Sequence, residues 1–229
     1  MSYQAIYDSA WHHPGLAWVG AFCAAILFAR KQRFLVGWFA LFLVVGIADA
    51  FFTGRLSTMP AKHAWVAGVV FVILGDLRFF LLAERFVRGR LGLRGAIAAV
   101  GLAFIVPVIT EIVRRAVPVI GQTPRLTFLT YEVLFLILAL VLRFSVLPAR
   151  LLGLPGPIRH WILRVATFEI VQYGLWIGCD VALLAGVQPI LLLRMVPNAL
   201  YYVAFLPYVV LTAPALSWDA PAGRLSRPL

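Results

Sequence analysis

The sequence predicts an all-α, polytopic membrane protein with seven transmembrane helices, its N-terminus out and its C-terminus in. Three observations carry that expectation. First, the chain is 63% hydrophobic and 13% charged, whereas soluble domains are about 45–50% apolar and about 25% charged. A soluble core of this size cannot hide so much apolar surface, and a bundle in lipid need not. Second, apolar runs near the roughly 20 residues needed to cross a bilayer recur along the chain. Third, seven of the nine acidic residues lie inside those runs. A carboxylate in hydrocarbon is costly and persists mainly when it faces a bundle interior, a partner or water.

The runs are Pro14–Phe28, Phe34–Thr53, Trp65–Phe86, Gly95–Val113, Leu126–Leu147, Trp161–Ala185 and Pro189–Val210. Each is expected to be helical, because backbone groups in lipid must bond within their own segment. The first is short. Met1 to His13 carry no Lys or Arg ahead of it, so the positive n-region of a signal peptide is missing. The second run contains Asp49, the third Asp76, Arg78 and Glu84, and the fourth Glu111. Glu132 lies in the fifth, Glu169 and Asp180 in the sixth, and the seventh contains Pro197. Connections are short, so residues 1–216 read as one transmembrane domain. The Pro-, Ala- and Arg-containing segment 217–229 reads as a disordered cytoplasmic tail.

Loop charges set the orientation. Thirteen basic residues collect on one side, among them Arg30, Lys31, Arg85, Arg88, Arg143 and Arg150, against six on the other. By the positive-inside rule the richer side is cytoplasmic. Trp11, Trp18, Trp65 and Trp176 then fall near the outer surface, and Trp38, Trp161 and Trp218 near the inner one, as interfacial belts do. The +11 charge does not indicate nucleic acid binding, because the basic residues sit in short loops and not on one polar face. The excess of Arg over Lys points to a GC-rich genome, and the expected location is a bacterial cytoplasmic (inner) membrane. Besides the lipid bilayer, a homo-oligomer or a membrane-complex partner is possible on sequence grounds.

A loose internal repeat runs through the chain. Gly75-Asp76 followed by Phe79-Phe80 matches Pro197-Asn198 followed by Tyr201-Tyr202, a helix breaker, a polar residue and an aromatic pair at the same offset. The preceding runs end Gly46-Ile47-Ala48-Asp49 and Ile177-Gly178-Cys179-Asp180. Asp49 thus corresponds to Asp180, and Asp76 to Asn198. Two three-helix units, residues 14–86 and 126–210, would be joined by the helix 95–113 and related by an axis along the membrane normal.

Met195-Val196-Pro197-Asn198 and the aromatic-rich helix after it resemble the last span of SWEET-type sugar transporters, relatives of the PQ-loop proteins. That resemblance implies seven spans in a 3+1+3 arrangement of parallel repeats, with polar residues of the third and seventh spans at a central substrate pocket. Those residues would be Asp76 and Asn198. The chain departs from the family in three ways. Its first, second, fifth and sixth runs have no interior proline, Gln188-Pro189 reverses the Pro-Gln pair, and the interior is acidic.

Two stripes carry the candidate chemistry. Glu169, Gln172, Tyr173, Trp176 and Asp180 lie at offsets 0, 3, 4, 7 and 11, on one helical face. They read as the wall of a hydrated cavity or a proton path, or alternatively as polar glue between helices. Arg194, Asn198, Tyr201, Phe205 and Tyr208 form the second stripe, and Pro197 removes a backbone hydrogen bond within it. Arg78 needs an acid from another helix, Glu169 or Glu132, because Asp76 points to a different face. Asp49, Glu111, Glu132 and Asp180 fall in the outer half and would form an acidic vestibule if they converge. Glu111 can instead pair with Arg114 or Arg115, and Glu84 with Arg88.

Several functions are excluded or disfavoured. No lysine lies mid-membrane, which rules out a retinal Schiff base. The histidines sit outside the runs or at their edges, and Cys23 and Cys179 form no CxxC or Cys/His pattern, so neither a metal site nor a cofactor is expected. There is no P-loop, HExxH or GxSxG pattern.

The reading that remains first is a transporter for a small polar or cationic solute. Asp76, Asn198, Glu169, Gln172, Tyr173, Tyr201 and Tyr202 would line the site. Asp49, Glu132 and Asp180 would form a proton or cation path, Arg78 and Arg194 would be ion-paired, and coupling would run through Glu169 or Asp180. A lipid-modifying enzyme using paired carboxylates and a receptor or complex subunit are the alternatives; no catalytic residue is assigned.

Overall fold

The computed structural model describes residues 2–9, 33–53 and 57–214. The first predicted run, Cys23, Trp11, Trp18 and the tail lie outside the described residues. Those described are helical, without strands, and six helices are long and apolar enough to cross a membrane. The protein is thus an integral, multi-pass membrane protein.

In order, α1 covers Tyr3–Tyr7, α2 Arg33–Thr53, α3 Ala61–Val87, α4 Leu93–Ala116 and α5 Pro118–Gln122. Then come α6 Pro124–Val141, α7 Leu147–Arg150, α8 Gly156–Leu184, α9 Ile190–Ala199 and α10 Phe205–Thr212. Two π-helical turns, Leu142–Val146 and Leu200–Ala204, fuse α6 to α7 and α9 to α10. The fifth and seventh predicted runs are therefore interrupted helices. Proline accounts for the place of each interruption. The ring of Pro148 clashes with the carbonyl four residues back, at Phe144, and Pro207 does the same at Val203. Both carbonyls lie within a π turn, where the wider i→i+5 pattern absorbs the misfit. Pro107 and Pro197 lie inside α4 and α9; elsewhere proline opens helices. It stands at the first helical turn of α5, α6 and α8, where its missing N–H costs nothing. Pro157 starts α8 about one turn ahead of the predicted Trp161.

Helices α2, α3, α4, α6, α8 and α9 each pack on the next, and α10 returns to α2. Helix α4 packs on α3 and α6 and buries a face of small residues. Gly95, Ala99 and Ala103 recur every four positions on the buried face of α4, which lets backbones approach as membrane helices commonly do. Outward faces carry Leu41, Val44, Ile97, Phe104, Ile112, Phe144 and Leu211, the surface expected to meet lipid. The interior is apolar in one half of the bundle, around Leu82, Phe86, Leu151, Trp161 and Ile162. Phe86 meets Trp161 edge-on at 5.2 Å. Buried indoles are satisfied there: Trp38 Nε1 donates to the Arg78 carbonyl at 3.0 Å and Trp161 Nε1 to that of Val209 at 3.2 Å. Glu84, at this end of α3, accepts from Arg88 on its own helix and from Arg150 on α7, both at 2.6 Å.

A candidate solute cavity

The other half of the bundle holds a cavity of about 610 Å³, within the usual range for small-molecule sites. It lies where α2 ends, α3 and α6 begin, and α8 gives way to α9. Asp49 and Thr53 come from α2, and Arg125, Phe128, Tyr131 and Glu132 from α6. Tyr173 and Trp176 come from α8, Arg194 and Asn198 from α9, and Tyr201 and Tyr202 from the π turn. Helix α1 contributes Tyr7. On α6, Phe128, Tyr131, Glu132 and Phe135 fall at i, i+3, i+4 and i+7, so one face turns toward the cavity and the core beneath it.

The floor is built on Asp76, which is 2% exposed and stands behind the lining. Its two oxygens accept the hydroxyls of Tyr131 and Tyr173, the latter at 2.6 Å. One helical turn deeper, Phe80 of α3 meets Phe135 of α6 at 6.0 Å, and Phe135 stacks on Tyr173 at 4.0 Å. This aromatic layer separates the cavity from the closed half.

Arg78 belongs to a separate buried unit. It stands 3.8 Å from Glu169, donates to the Tyr201 carbonyl at 2.8 Å and lies over the rings of Tyr201 and Phe205 at 4.2 and 3.9 Å. The π turn thus places a backbone acceptor where a buried guanidinium needs one. Gly75 permits the same approach, since a Cβ there would overlap the Tyr201 hydroxyl.

At the rim, Arg194 bridges α9 to its neighbours. It bonds Asp180 at 2.5 Å, stands 3.5 Å from Glu132, and donates to the Tyr7 hydroxyl. Arg125 reaches Asp180 at 3.2 Å. Tyr7 also accepts from Asn198 Nδ2 at 3.2 Å, and Trp176 Nε1 donates to Asn198 Oδ1 at 2.6 Å. Asp49 accepts from Thr53 at 2.6 Å and from Tyr202 at 3.0 Å.

Of the residues expected to form the site, Asp49, Glu132, Tyr173, Arg194, Asn198, Tyr201 and Tyr202 line the cavity. Asp76, Arg78, Glu169, Gln172 and Asp180 do not; they are buried behind it. The α8 stripe divides because it is wider than the cavity. Tyr173 and Trp176 face inward to it, while Glu169 turns to Arg78. Gln172 is fully buried, and neither amide atom has a hydrogen-bond partner among the described residues. Glu111 does not join the other outer acids. It bonds Arg114 and Arg115, each at 2.7 Å, beside a second cavity of about 630 Å³ beyond Phe128 and Tyr131. The vestibule is also less acidic than expected, because Arg125 and Arg194 sit among its carboxylates. Tyr131, Tyr7 and Arg125 are contributors that sequence reasoning passed over. Only Tyr131 had a signal, its place on the Phe128–Phe135 helical face. Among the described residues, no group of three His, Cys, Asp or Glu could hold a metal ion.

No protein-family model matches the sequence, and no characterised protein or solved structure does so either.

Proposed function

We propose that this chain is a carrier that moves a small polar or cationic solute across a bacterial cytoplasmic membrane. It would have seven spans, with its N-terminus outside and its C-terminus inside. The observation that carries the reading is a cavity in one half of the bundle, floored by the Asp76–Tyr131–Tyr173 cluster and closed beneath by aromatic side chains. Alternating access needs such a one-sided opening and a seal that can exchange with it. The two π turns supply places where α6 and α9 can bend, since such turns recur at functional positions. The repeat of residues 14–86 and 126–210 remains part of this proposal, although one member of each matched pair, Asp49 or Asn198, lines the cavity and the other, Asp180 or Asp76, is buried behind it. Glu169 beside Arg78, or Asp180 beside Arg194, would carry the coupling proton.

Purified protein in sealed liposomes tests this directly. A small solute should drive a pH change across the membrane that Asp76→Asn alters and Glu169→Gln or Asp180→Asn removes, with each variant still folded. Normal solute-driven fluxes in all three variants would refute the assignment. A carboxy-terminal fluorescent fusion that fails to mature in the cytoplasm would refute the orientation.

A further inference from the structure

The cavity's chemistry narrows the solute. We propose that it binds an organic ammonium group, primary to quaternary, through aromatic faces and the Glu132 carboxylate; this rests on reading the cavity as the solute site.

Tyr131, Tyr173, Trp176, Tyr201 and Tyr202 bring rings from α6, α8 and the π turn to one wall. Ring faces attract cations, most strongly where water is excluded. The polar tips of these rings are already engaged. Tyr131 and Tyr173 donate to Asp76, Tyr202 to Asp49 at 3.0 Å and Trp176 to Asn198 at 2.6 Å. A phenol that donates to a carboxylate becomes more electron-rich, so its face holds a cation better. The same bonds leave those hydroxyls and that indole N–H poorly placed to serve an anion.

Glu132 supplies the charged acceptor. It lines the cavity, is 5% exposed, and its Oε2 has no hydrogen-bond partner among the described residues. The opposing guanidiniums are committed: Arg194 to Asp180, Glu132 and Tyr7, and Arg125 to Asp180. Those two cations balance Glu132 and Asp180. Asp76 makes no ion pair among the described residues and stands behind the aromatic wall, held by the two tyrosine hydroxyls. A metal cation suits the cavity poorly. It would need several oxygen ligands in place of its water, and the described residues hold no such cluster. A quaternary ammonium holds its water loosely and presents methyl groups to rings, and a primary one can give its N–H groups to Glu132 in place of water.

Calorimetric titration of the detergent-purified protein with tetramethylammonium and with 3,3-dimethylbutan-1-ol, an uncharged probe of similar bulk, tests this. Saturable binding of the cation, without binding of the alcohol, is expected. Trp176→Phe, which keeps a ring, should retain the site. Trp176→Leu should weaken it about tenfold, with thermal unfolding confirming a folded variant. Should Trp176→Leu not fold, Glu132→Gln serves in its place and should weaken the cation about tenfold as well. Equal binding of the alcohol, no saturable binding of the cation, or unchanged affinity in Glu132→Gln would overturn the inference. Ammonium binding without flux in liposomes would keep it and remove the carrier. Flux of a different solute without ammonium binding would do the reverse.

Discussion

Asp76 and Arg78 stand two residues apart on α3, and each finds its partners on different helices. Asp76 is held by tyrosine hydroxyls, Arg78 by Glu169, a backbone carbonyl and two ring faces. Removing one member of a buried pair leaves a charge without its counterpart, a loss of about 3–5 kcal/mol. Arg78→Met should therefore unfold at markedly lower denaturant, and Arg78→Met combined with Glu169→Leu should recover much of that loss. A double variant no more stable than Arg78→Met would show that the pair is not the relevant contact. Gly75→Ala makes a second test, because its methyl must displace the Tyr201 ring. Overpacking of this kind costs about 1–3 kcal/mol, and Tyr201→Phe in the same protein should return part of it on thermal unfolding. At this scale much was legible. Intramembrane charge is so costly that Asp76, Arg78 and Glu169 announce themselves, and sterics of an i, i+2 pair sent Arg78 to another helix. Tyr131 was legible only as part of the Phe128–Phe135 helical face; its bond to Asp76 was not, because one tyrosine in an apolar run looks like any core aromatic until Asp76 is placed opposite it.

Among the helices, the informative departures are the two π turns. The apolar runs were visible from hydropathy alone, whereas Pro197, expected to open the last of them, lies inside α9 without ending it. The π turns were not, since Pro148 and Pro207 sit near run ends, where proline ordinarily marks termination. Their effect lies four residues upstream, on carbonyls that composition does not flag. Pro207→Ala should let the helix after Ala199 close toward regular α geometry and withdraw the Tyr201 carbonyl from Arg78. The expected outcome is a folded protein with lost solute flux. Unaltered flux and melting would mean that the turn is incidental. The α4 seam gives a complementary case. Ala103 is 2% exposed on the buried face of α4, so Ala103→Leu should destabilise by about 1–3 kcal/mol, whereas Ile97→Leu on the exposed face should leave the melting temperature unchanged.

For the molecule as a whole, the two ends of the bundle differ in kind. One holds a polar cavity with charged residues from five helices, α2, α3, α6, α8 and α9, in and behind its wall. The other is packed with Leu, Phe and Trp and tied by Glu84 to Arg150 across α3 and α7. If the closed end must open during turnover, Glu84→Gln should ease it. Leu151, fully buried beside that tie, offers a reporter. In a protein with Cys23 and Cys179 replaced, Leu151→Cys should react with a water-soluble thiol reagent faster when Glu84→Gln is present. Equal rates would mean that the ion pair does not hold the closed end. The bundle itself was legible because lipid imposes helices on any chain this apolar. The cavity was legible only as a list of depths. Which faces converge depends on packing order and helix rotation, and the divided α8 stripe shows that shared spacing does not ensure a shared destination.

The π turns also change how the protein should be counted. Each holds about one residue more than an α turn would, which rotates everything downstream by roughly 100° on a helical wheel. A cysteine or tryptophan scan along Ile190–Thr212 should therefore show two accessibility periods out of phase, with the break at Leu200–Ala204. Fitted with a single period, Val210 would fall on the lipid-facing side with exposed Leu192, although it is buried.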